Sequence, residues 1–385
     1  MDVTVTARLY PRAHKLLGIA VLFVAVLAIV SNIADPRQTD FIAYWAAAVL
    51  TLHGQAAAAY DPIALAAAEH VGAAFTSRMP FGYPPAFLLV ALPAGLMPYT
   101  LAVAAWIGVT AAGYIAAART LLPGSAWLAA AFPPVAVNVM IGQNGLLTAA
   151  LIIGAAVTLP RRPLIAGLLV GCLVIKPQLA ILFPLAFVVG GQWRAFMGAA
   201  LSSLGLSALA LACFGTGTYI AFFKAMPLFA SVVAGGLTGW YRMASVYGSL
   251  RLAGLDAQTA WAIYAAVALA AAAMVAIVWR GRHDPQAKMA VLVAASMLIS
   301  PYLYVYDTVA LVVPFFWLAM QRTDRRLLAV LWLMPVVSLA QNWGLNGTVD
   351  LMPLVAIGLL VLLGLRLFGQ NGRSVIAYRS PGLAR

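Results

Sequence analysis

The chain has 385 residues, of which 64% are hydrophobic and 9% are charged, and its formal net charge is +13 at pH 7. Soluble globular domains have about a quarter of their residues charged, so this composition excludes a soluble protein and predicts an integral membrane protein. The positive charge does not indicate nucleic acid binding, because Lys and Arg lie in short hydrophilic breaks between apolar runs, the pattern that the positive-inside rule gives cytoplasmic loops.

The first apolar run, residues 16–33, has a basic flank but no evident small-x-small cleavage site, so we expect a retained helix rather than a signal peptide. With the basic breaks in the cytoplasm, residues 34–83 form a large periplasmic loop. Two stretches of this loop are predicted helices: residues 41–53, and residues 64–70 after the helix-starting pair Asp61 and Pro62. Both are too short or too polar to cross a bilayer, so we expect them to lie along the outer surface.

Residues 84–159 contain four apolar segments, at 84–98, 100–119, 126–141 and 143–159. An odd number must cross the membrane, because the preceding loop is predicted outside and Arg161 and Arg162 are predicted inside. One segment therefore fails to cross fully. The candidates are 84–98 and the segment that Pro133 and Pro134 interrupt.

The remaining chain adds a second predicted periplasmic loop at 215–256 and a basic cytoplasmic tail at 369–385. The whole chain is then a single polytopic, all-α domain with about twelve crossings and both termini in the cytoplasm. Several crossings are shorter than the ~20 residues of a simple span, which favours broken helices around a cavity. The further predicted crossings are residues 164–175, 177–190, 195–214, 257–279, 289–299, 305–320, 327–343 and 349–368.

Five polar residues stand out because this topology places all of them towards the outer side: Asp40, Gln143, Asn144, Lys176 and Asp307. A charge at membrane depth costs several kcal/mol unless it lines a wet cavity or finds a partner, so each is a functional candidate. Each also has a structural alternative. Asp40, Gln143 and Asn144 are able to cap helices, Lys176 to reach the headgroups, and Asp307 to pair with a Lys or Arg.

A set of short motifs between residues 40 and 314 resembles, in chain order, the family 87 glycosyltransferases. Each motif is weak by itself, and the ordered set is fairly specific. The motifs are Asp40-Phe41-x-x-Tyr44-Trp45, Tyr60-Asp61-Pro62, Tyr83-Pro84-Pro85, Pro98-Tyr99, Gly142-Gln143-Asn144-Gly145, Lys176-Pro177-Gln178, and Ser300-Pro301 followed by Asp307.

This resemblance implies a GT-C fold, a helical membrane enzyme with surface helices and a catalytic Asp in its first outer loop. It implies a polyprenyl-phosphate sugar as donor, mannose above all, and a lipid-linked or envelope glycan as acceptor. By motif position the catalytic residue is Asp40. Some relatives carry His shortly after the Ser-Pro motif, where this chain has Tyr302, so the role of that position is open.

The residues fit such chemistry independently. One carboxylate, here Asp40, can act as base for an acceptor hydroxyl, and Lys176 with Arg242 can stabilise the leaving phosphate. Direct attack inverts the anomeric centre. No Asp-x-Asp pair, glycine-rich nucleotide loop or His cluster occurs in the sequence, so we expect neither a metal nor a cofactor. The expected sugar and acceptor contacts are Tyr44, Tyr83, Gln143, Asn144, Tyr302 and Asp307.

The rival hypothesis is a secondary transporter or lipid flippase, since about twelve spans with broken helices and few buried charges fit that class as well. The loop at 34–83 favours the enzyme, because a transporter has little need of surface helices and an acid outside. A non-catalytic scaffold for envelope assembly is a weaker third option. The enzyme hypothesis predicts a bacterial inner-membrane location with the site facing the periplasm.

Overall fold

The computed structural model describes residues 39–72, 80–121, 126–237, 239–344 and 350–369, which form α-helices joined by short turns and 3₁₀ segments. The predicted first helix at 16–33 and most of the tail at 369–385 lie outside the described residues. The helices are α1 Phe41–Leu52, α2 Pro62–Gly72, α3 Pro85–Gly95, α4 Tyr99–Leu121, α5 Ala126–Ala130, α6 Pro133–Ile141, α7 Gly145–Thr158, α8 Pro163–Gly171, α9 Leu182–Val189, α10 Trp193–Ala234, α11 Val246–Leu252, α12 Ala257–Arg280, α13 Pro285–Ile299, α14 Val312–Met320, α15 Arg325–Gly344 and α16 Met352–Phe368.

Three of these helices, α4, α10 and α12, are long and apolar enough to cross a membrane, which agrees with the predicted membrane protein. Many others are apolar but shorter than a simple span, as expected for broken helices. Between α4 and α7, the prolines after Phe132 divide the chain into α5 and α6, while α3 has only 11 residues. Both candidates for the incomplete crossing are therefore short, and the total of about twelve crossings stays a prediction.

Helix α1 matches the predicted stretch 41–53 closely, but neighbouring helices enclose it instead of leaving one face exposed. Phe41, Tyr44 and the alanines that follow are almost fully buried. The Tyr44 ring lies 4.8 Å from that of Phe87 and 5.8 Å from that of Trp106, measured between centroids. A helix that is apolar all round buries every side. Helix α1 is thus part of the protein core, and its position at the outer surface of the membrane stays a prediction.

Helix α2 begins as the sequence predicts. The Asp61 carboxylate accepts hydrogen bonds from the backbone N–H groups of Ile63 and Ala64, both at 2.8 Å. This is an ordinary helix cap, with Pro62 in the first turn. Asp61 is exposed and has a structural role that accounts for its presence.

The predicted second loop, 215–256, is mostly helical. Gly215 breaks α10 with a backbone that is not helical, φ 77° and ψ 168°, so the predicted boundary is correct. The chain then resumes a helix as far as Ala234, and its exposed apolar residues include Ile220 and Phe223. The predicted loop therefore contains a helix, and its place on the periplasmic side stays a prediction. Only the part from Gly235 onwards forms turns, a 3₁₀ segment at Trp240–Arg242 and the short α11.

Helices α8 and α10 pack at very short range. A Cβ atom on Gly167 would lie 2.0 Å from the backbone oxygen of Ala195, and one on Gly171 would lie 2.0 Å from the Ser202 hydroxyl. Ser202 in turn donates a hydrogen bond to the backbone oxygen of Leu168 at 2.8 Å. Small residues four apart permit this close approach between membrane helices. The pair anchors α8, which leads directly into the turn that carries Lys176.

We expect Gly167→Ala to lower the unfolding temperature in detergent, because the added methyl group must force α8 away from Ala195. Overpacking of this kind costs about 1–3 kcal/mol. Gly205→Ala in α10 is the matched control, since its added methyl group would meet nothing within 4 Å. Equal unfolding temperatures for the two variants would contradict the tight α8–α10 contact.

Candidate active site

The site lies where five separate parts of the chain meet: the start of α1, the residues just before α3, the turn between α6 and α7, the turn after α8 that carries Lys176, and the 3₁₀ segment Val305–Leu311. The backbone N–H of Asp40 donates to the carbonyl of Ile141 at 3.0 Å, which fixes the start of α1 against the end of α6. Gly142 ends α6 with a left-handed backbone, φ 68°, a conformation that glycine adopts without strain.

The turn between α6 and α7 also presses against the 3₁₀ segment. A Cβ atom on Gly145 would lie 2.0 Å from the carbonyl oxygen of Tyr306, so a larger residue does not fit. The Asn138 amide, oriented to satisfy both neighbours, donates to the Gln143 carbonyl at 2.9 Å and accepts from the Gly145 N–H at 2.8 Å. These contacts explain the two glycines of the Gly-Gln-Asn-Gly motif and fix the positions of Gln143 and Asn144 between them.

Gln143 holds the carboxylate of Asp40. Its Nε2 donates to Asp40 Oδ2 at 2.8 Å, while its Oε1 accepts from the hydroxyls of Tyr44 and Tyr83, the latter at 3.0 Å. The two phenols fix the orientation of the amide, so that its NH₂ group faces Asp40. Asp40 itself is half-buried and makes no capping hydrogen bond to α1, so the capping alternative for this residue is wrong.

Burial raises the pKa of Asp40 above its ordinary value, although the Gln143 hydrogen bond and the positive charges of Arg242 and Lys176 act in the opposite direction. A carboxylate with a raised pKa is a better proton acceptor than one in water. Burial also raises the pKa of Tyr83, so its hydroxyl stays protonated and remains a donor to Gln143.

Lys176 and Asp307 form a buried ion pair with 2.5 Å between Nζ and Oδ1, and their side chains are 3% and 0% exposed. Lys176 also donates to Asn144 Oδ1 at 3.0 Å, and its Nζ lies 4.8 Å from the centre of the Tyr306 ring. Lys176 does not reach towards headgroups, so that alternative is wrong, whereas the predicted pairing of Asp307 with a cation is confirmed. Asn144 makes no capping hydrogen bond to α7.

The hydrogen bonds around Asp40 and those around Lys176 are next to each other, because Gln143 belongs to the first group and its chain neighbour Asn144 to the second. Tyr83 also links them, since its ring centre lies 5.7 Å from Lys176 Nζ. We call these residues the polar network. The structure therefore brings together most of the site residues that the sequence predicts. The members of the network are Asp40, Tyr44, Tyr83, Gln143, Asn144, Lys176 and Asp307.

Two predicted site residues join none of these hydrogen bonds. Arg242 is exposed, and its Nε donates to the hydroxyl of Tyr241 at 3.2 Å. Its segment contacts the chain just before the 3₁₀ segment Val305–Leu311, because the N–H of Ala244 donates to the carbonyl of Leu303 at 2.7 Å. The ring of Tyr302 instead faces Trp261, with 6.4 Å between centroids.

Sequence reasoning missed several residues that support the network. Trp106 Nε1 donates to the backbone oxygen of Gln143 at 3.4 Å, and its ring contacts that of Phe41. The hydroxyls of Thr39 and Tyr99 form a hydrogen bond of 2.6 Å. Tyr306 was not predicted either, although Tyr302, Tyr304 and Tyr306 alternate after Ser300 and this pattern could have marked it. Within the described ranges, no group of three or more His, Cys, Asp or Glu side chains is suited to hold a metal ion.

We expect Lys176→Met to destabilise the folded protein by about 3–5 kcal/mol, because it leaves the Asp307 charge buried without its partner. Thermal unfolding in detergent measures this, and Asp307→Leu added to the same variant should restore part of the loss. Lys224→Met, which removes an exposed lysine, is the control. An unchanged unfolding temperature for Lys176→Met would mean that the pair does not hold the site together.

Comparison with known proteins identifies the chain at the level of the family. The sequence profile of glycosyltransferase family 87 matches residues 81–301, more than half of the chain. The matched range includes Tyr83, Gln143, Asn144, Lys176 and Arg242. It leaves Asp40, Tyr44, Tyr302 and Asp307 outside. No curated protein and no solved structure matches the chain significantly. The chain belongs to glycosyltransferase family 87.

Proposed function

We propose that this membrane protein transfers a hexose, mannose in the first instance, from a polyprenyl-phosphate donor to a lipid-linked or envelope glycan. In this proposal the reaction takes place at the periplasmic face of a bacterial inner membrane, with both termini of the chain in the cytoplasm. Family membership supports sugar transfer. The observation that carries the mechanism is the half-buried carboxylate of Asp40, which Gln143 holds at one oxygen.

The two acids of the polar network have different environments, and only one of them suits a base. Asp307 is fully buried and its charge is neutralised by Lys176 at 2.5 Å. Asp40 is partly exposed, and its Oδ2 accepts from the neutral amide of Gln143. Oδ1 makes no hydrogen bond to a described side chain, so it is the oxygen that we assign to the acceptor hydroxyl. We therefore propose Asp40 as the general base and Asp307 as a positioning residue.

The proposed reaction is a single displacement. Oδ1 of Asp40 takes the proton of the acceptor hydroxyl as its oxygen attacks the anomeric carbon of the donor sugar. The bond between that carbon and the phosphate oxygen breaks, and the polyprenyl phosphate leaves with the bonding electron pair. One displacement inverts the anomeric centre. The proton then passes from Asp40 to solvent, which restores the base.

The leaving phosphate needs positive charge, and the two predicted cations differ in their availability. Lys176 already neutralises Asp307, whereas Arg242 is exposed and its charge acts on Asp40. A guanidinium group can bind two phosphate oxygens at once. We therefore assign the main phosphate contact to Arg242, with Lys176 as an indirect contributor. No described residue accepts a hydrogen bond from the buried Nδ2 of Asn144, which we assign to a sugar oxygen.

Tyr44 and Tyr83 act in this proposal mainly through Gln143, because their hydroxyls hold its amide. Tyr302, beside Trp261, is assigned to the acceptor side of the site. Transport by a flippase-like mechanism is the competing function, and the family match argues against it. The experiment below separates the two.

We expect Asp40→Asn to lower sugar transfer by about 10²–10⁴-fold, the typical contribution of a general base, without loss of folding. The assay uses purified protein in nanodiscs with labelled polyprenyl-phosphomannose and a membrane-lipid extract as acceptor. Asp61→Asn is the matched control, since Asp61 lies in the same predicted loop and caps α2.

Three results would count against this proposal. If Asp40→Asn transfers mannose as well as the unmodified protein does, Asp40 is not the base. If Asp61→Asn is equally inactive, the loss reflects the loop and not the carboxylate. If the unmodified protein transfers neither mannose, glucose nor arabinose, while lipid flux responds to Asp40→Asn, the protein is a transporter.

We expect Gln143→Leu to move the acidic limb of the pH profile of kcat/KM to higher pH. The Gln143 hydrogen bond stabilises the ionised form of Asp40, so its loss raises the pKa of Asp40 further. The base must be ionised to act, and transfer therefore rises with pH through that pKa. Gln258→Leu, an exposed glutamine on α12, should leave the profile unchanged. A Gln143→Leu profile with the same limb and only a lower plateau would contradict the assigned role.

A further inference from the structure

A cavity lies away from the polar network, between the turn that joins α14 to α15 and the last turn of α16. Its volume is about 450 Å³. It lies outside the range that the family profile matches, and the proposed reaction does not use it. Its walls include Arg322, Thr323, Asp324, Leu362, Leu365 and Arg366.

Arg322 has an unusual backbone. Its φ of 55° is left-handed, and no other non-glycine residue in the described part of the chain has a positive φ. The N–H of Arg322 donates to Ala319 and that of Thr323 to Leu318, both at 3.2 Å, which forms a Schellman end to α14. Glycine is the favoured residue at this position, and a side chain there is strained. Strained residues of this kind cluster at functional sites, so the backbone of Arg322 suggests that its guanidinium group has a functional role.

Two residues of the cavity wall have hydrogen-bond donors that no described residue satisfies. Arg366 donates through Nη2 to the carbonyl of Gln321, but its Nε is buried without a partner. The Thr323 hydroxyl is buried without a partner as well. Buried donors of this kind are costly unless a ligand or water accepts from them. Arg366 and Thr323 both belong to the cavity wall, and a guanidinium group beside a hydroxyl favours an acceptor-rich, negatively charged group.

The charge around the cavity also favours an anion. The cavity wall contains two cations, Arg322 and Arg366, and one acid, Asp324. Oδ1 of Asp324 already accepts from the N–H of Arg326 at 2.8 Å. The turn between α12 and α13 lies close by, because the ring of His283 packs on that of Phe368 with 5.7 Å between centroids. Arg280 ends α12 and Arg282 lies in that turn, so two further arginines are nearby.

An apolar stripe runs along α16 from the cavity. Leu354, Val361, Leu365 and Phe368 are between 47% and 67% exposed, and their spacing of seven, four and three residues puts them on one side of the helix. At 1.5 Å per residue the stripe is roughly 21 Å long. Leu365 belongs to both the stripe and the cavity wall, so the apolar surface begins where the charged donors end. A free phosphate ion would leave this stripe unused.

We propose that this cavity binds the phosphate headgroup of an anionic phospholipid, with one acyl chain along the exposed side of α16. Arg322, Arg366 and the Thr323 hydroxyl donate to the phosphate oxygens. The lipid stays intact, and no covalent step is involved. This site is independent of the proposed sugar transfer.

The test measures thermal unfolding of the full chain, delipidated in a neutral detergent, with three additives. Phosphatidylglycerol should raise the unfolding temperature by about 2–4 °C, as ligand binding to the folded state does. Phosphatidylcholine with the same acyl chains should not, because its headgroup has no net charge. Inorganic phosphate should give a much smaller shift. An equal shift with phosphate would overturn the lipid assignment, and an equal shift with phosphatidylcholine would overturn the anion site.

Variants locate the effect. Arg322→Gln should abolish most of the phosphatidylglycerol shift, whereas Arg326→Gln, which removes the same charge from an exposed position outside the cavity wall, should retain it. Thr323→Val keeps the side-chain shape and removes the unpartnered hydroxyl. It should raise the unfolding temperature without lipid and reduce the shift with lipid, two changes in opposite directions. If Thr323→Val alters neither value, or Arg326→Gln loses the shift as fully as Arg322→Gln, the site is not this cavity.

Discussion

The buried ion pair between Lys176 and Asp307 is the interaction on which the arrangement of the site depends. Two ions out of water are costly, and their attraction compensates only when the remaining donors and acceptors are also satisfied. Here the Asn144 amide and the N–H of Tyr304 complete the pair, and the face of Tyr306 lies against the ammonium group. These contacts fix the 3₁₀ segment Val305–Leu311 against the turn before α7. The same turn holds Gln143 next to Asp40.

This arrangement gives two aspartates different chemistry within one network. Asp307 is matched by a full positive charge, whereas Asp40 receives a hydrogen bond from a neutral amide and the weaker influence of cations farther away. With Lys176 and Asp307 cancelling, the network has the single negative charge of Asp40 when that group is ionised. The donor phosphate of the proposed reaction would add more negative charge, so we propose the exposed cation Arg242 as its partner.

Much of the fold follows from the sequence, because hydropathy and capping are local. The bounds of α12, the Asp61 cap and the break at Gly215 are all marked by neighbouring residues. The enclosure of α1 is not local, since it depends on rings from Phe87 and Trp106. Likewise, Lys176 and Asp307 are 131 positions apart. The sequence marks each of them as a candidate site residue, but it does not show that they pair with each other. Arg242 and Tyr302 were predicted in the same site, but residue type alone could not tell that one is exposed and the other faces Trp261.

A single hydrogen bond joins Gln143, which lies within the range of the family match, to Asp40, the proposed base. The profile covers residues 81–301, so it includes Gln143 but neither Asp40 nor Asp307. In the present orientation of its amide, Gln143 accepts from both phenols, and its NH₂ group points to an acceptor on the other side. Asp40 is that acceptor. A residue inside the matched range therefore holds the carboxylate of one outside it, and the proposal that Asp40 is the base rests on this geometry rather than on the match.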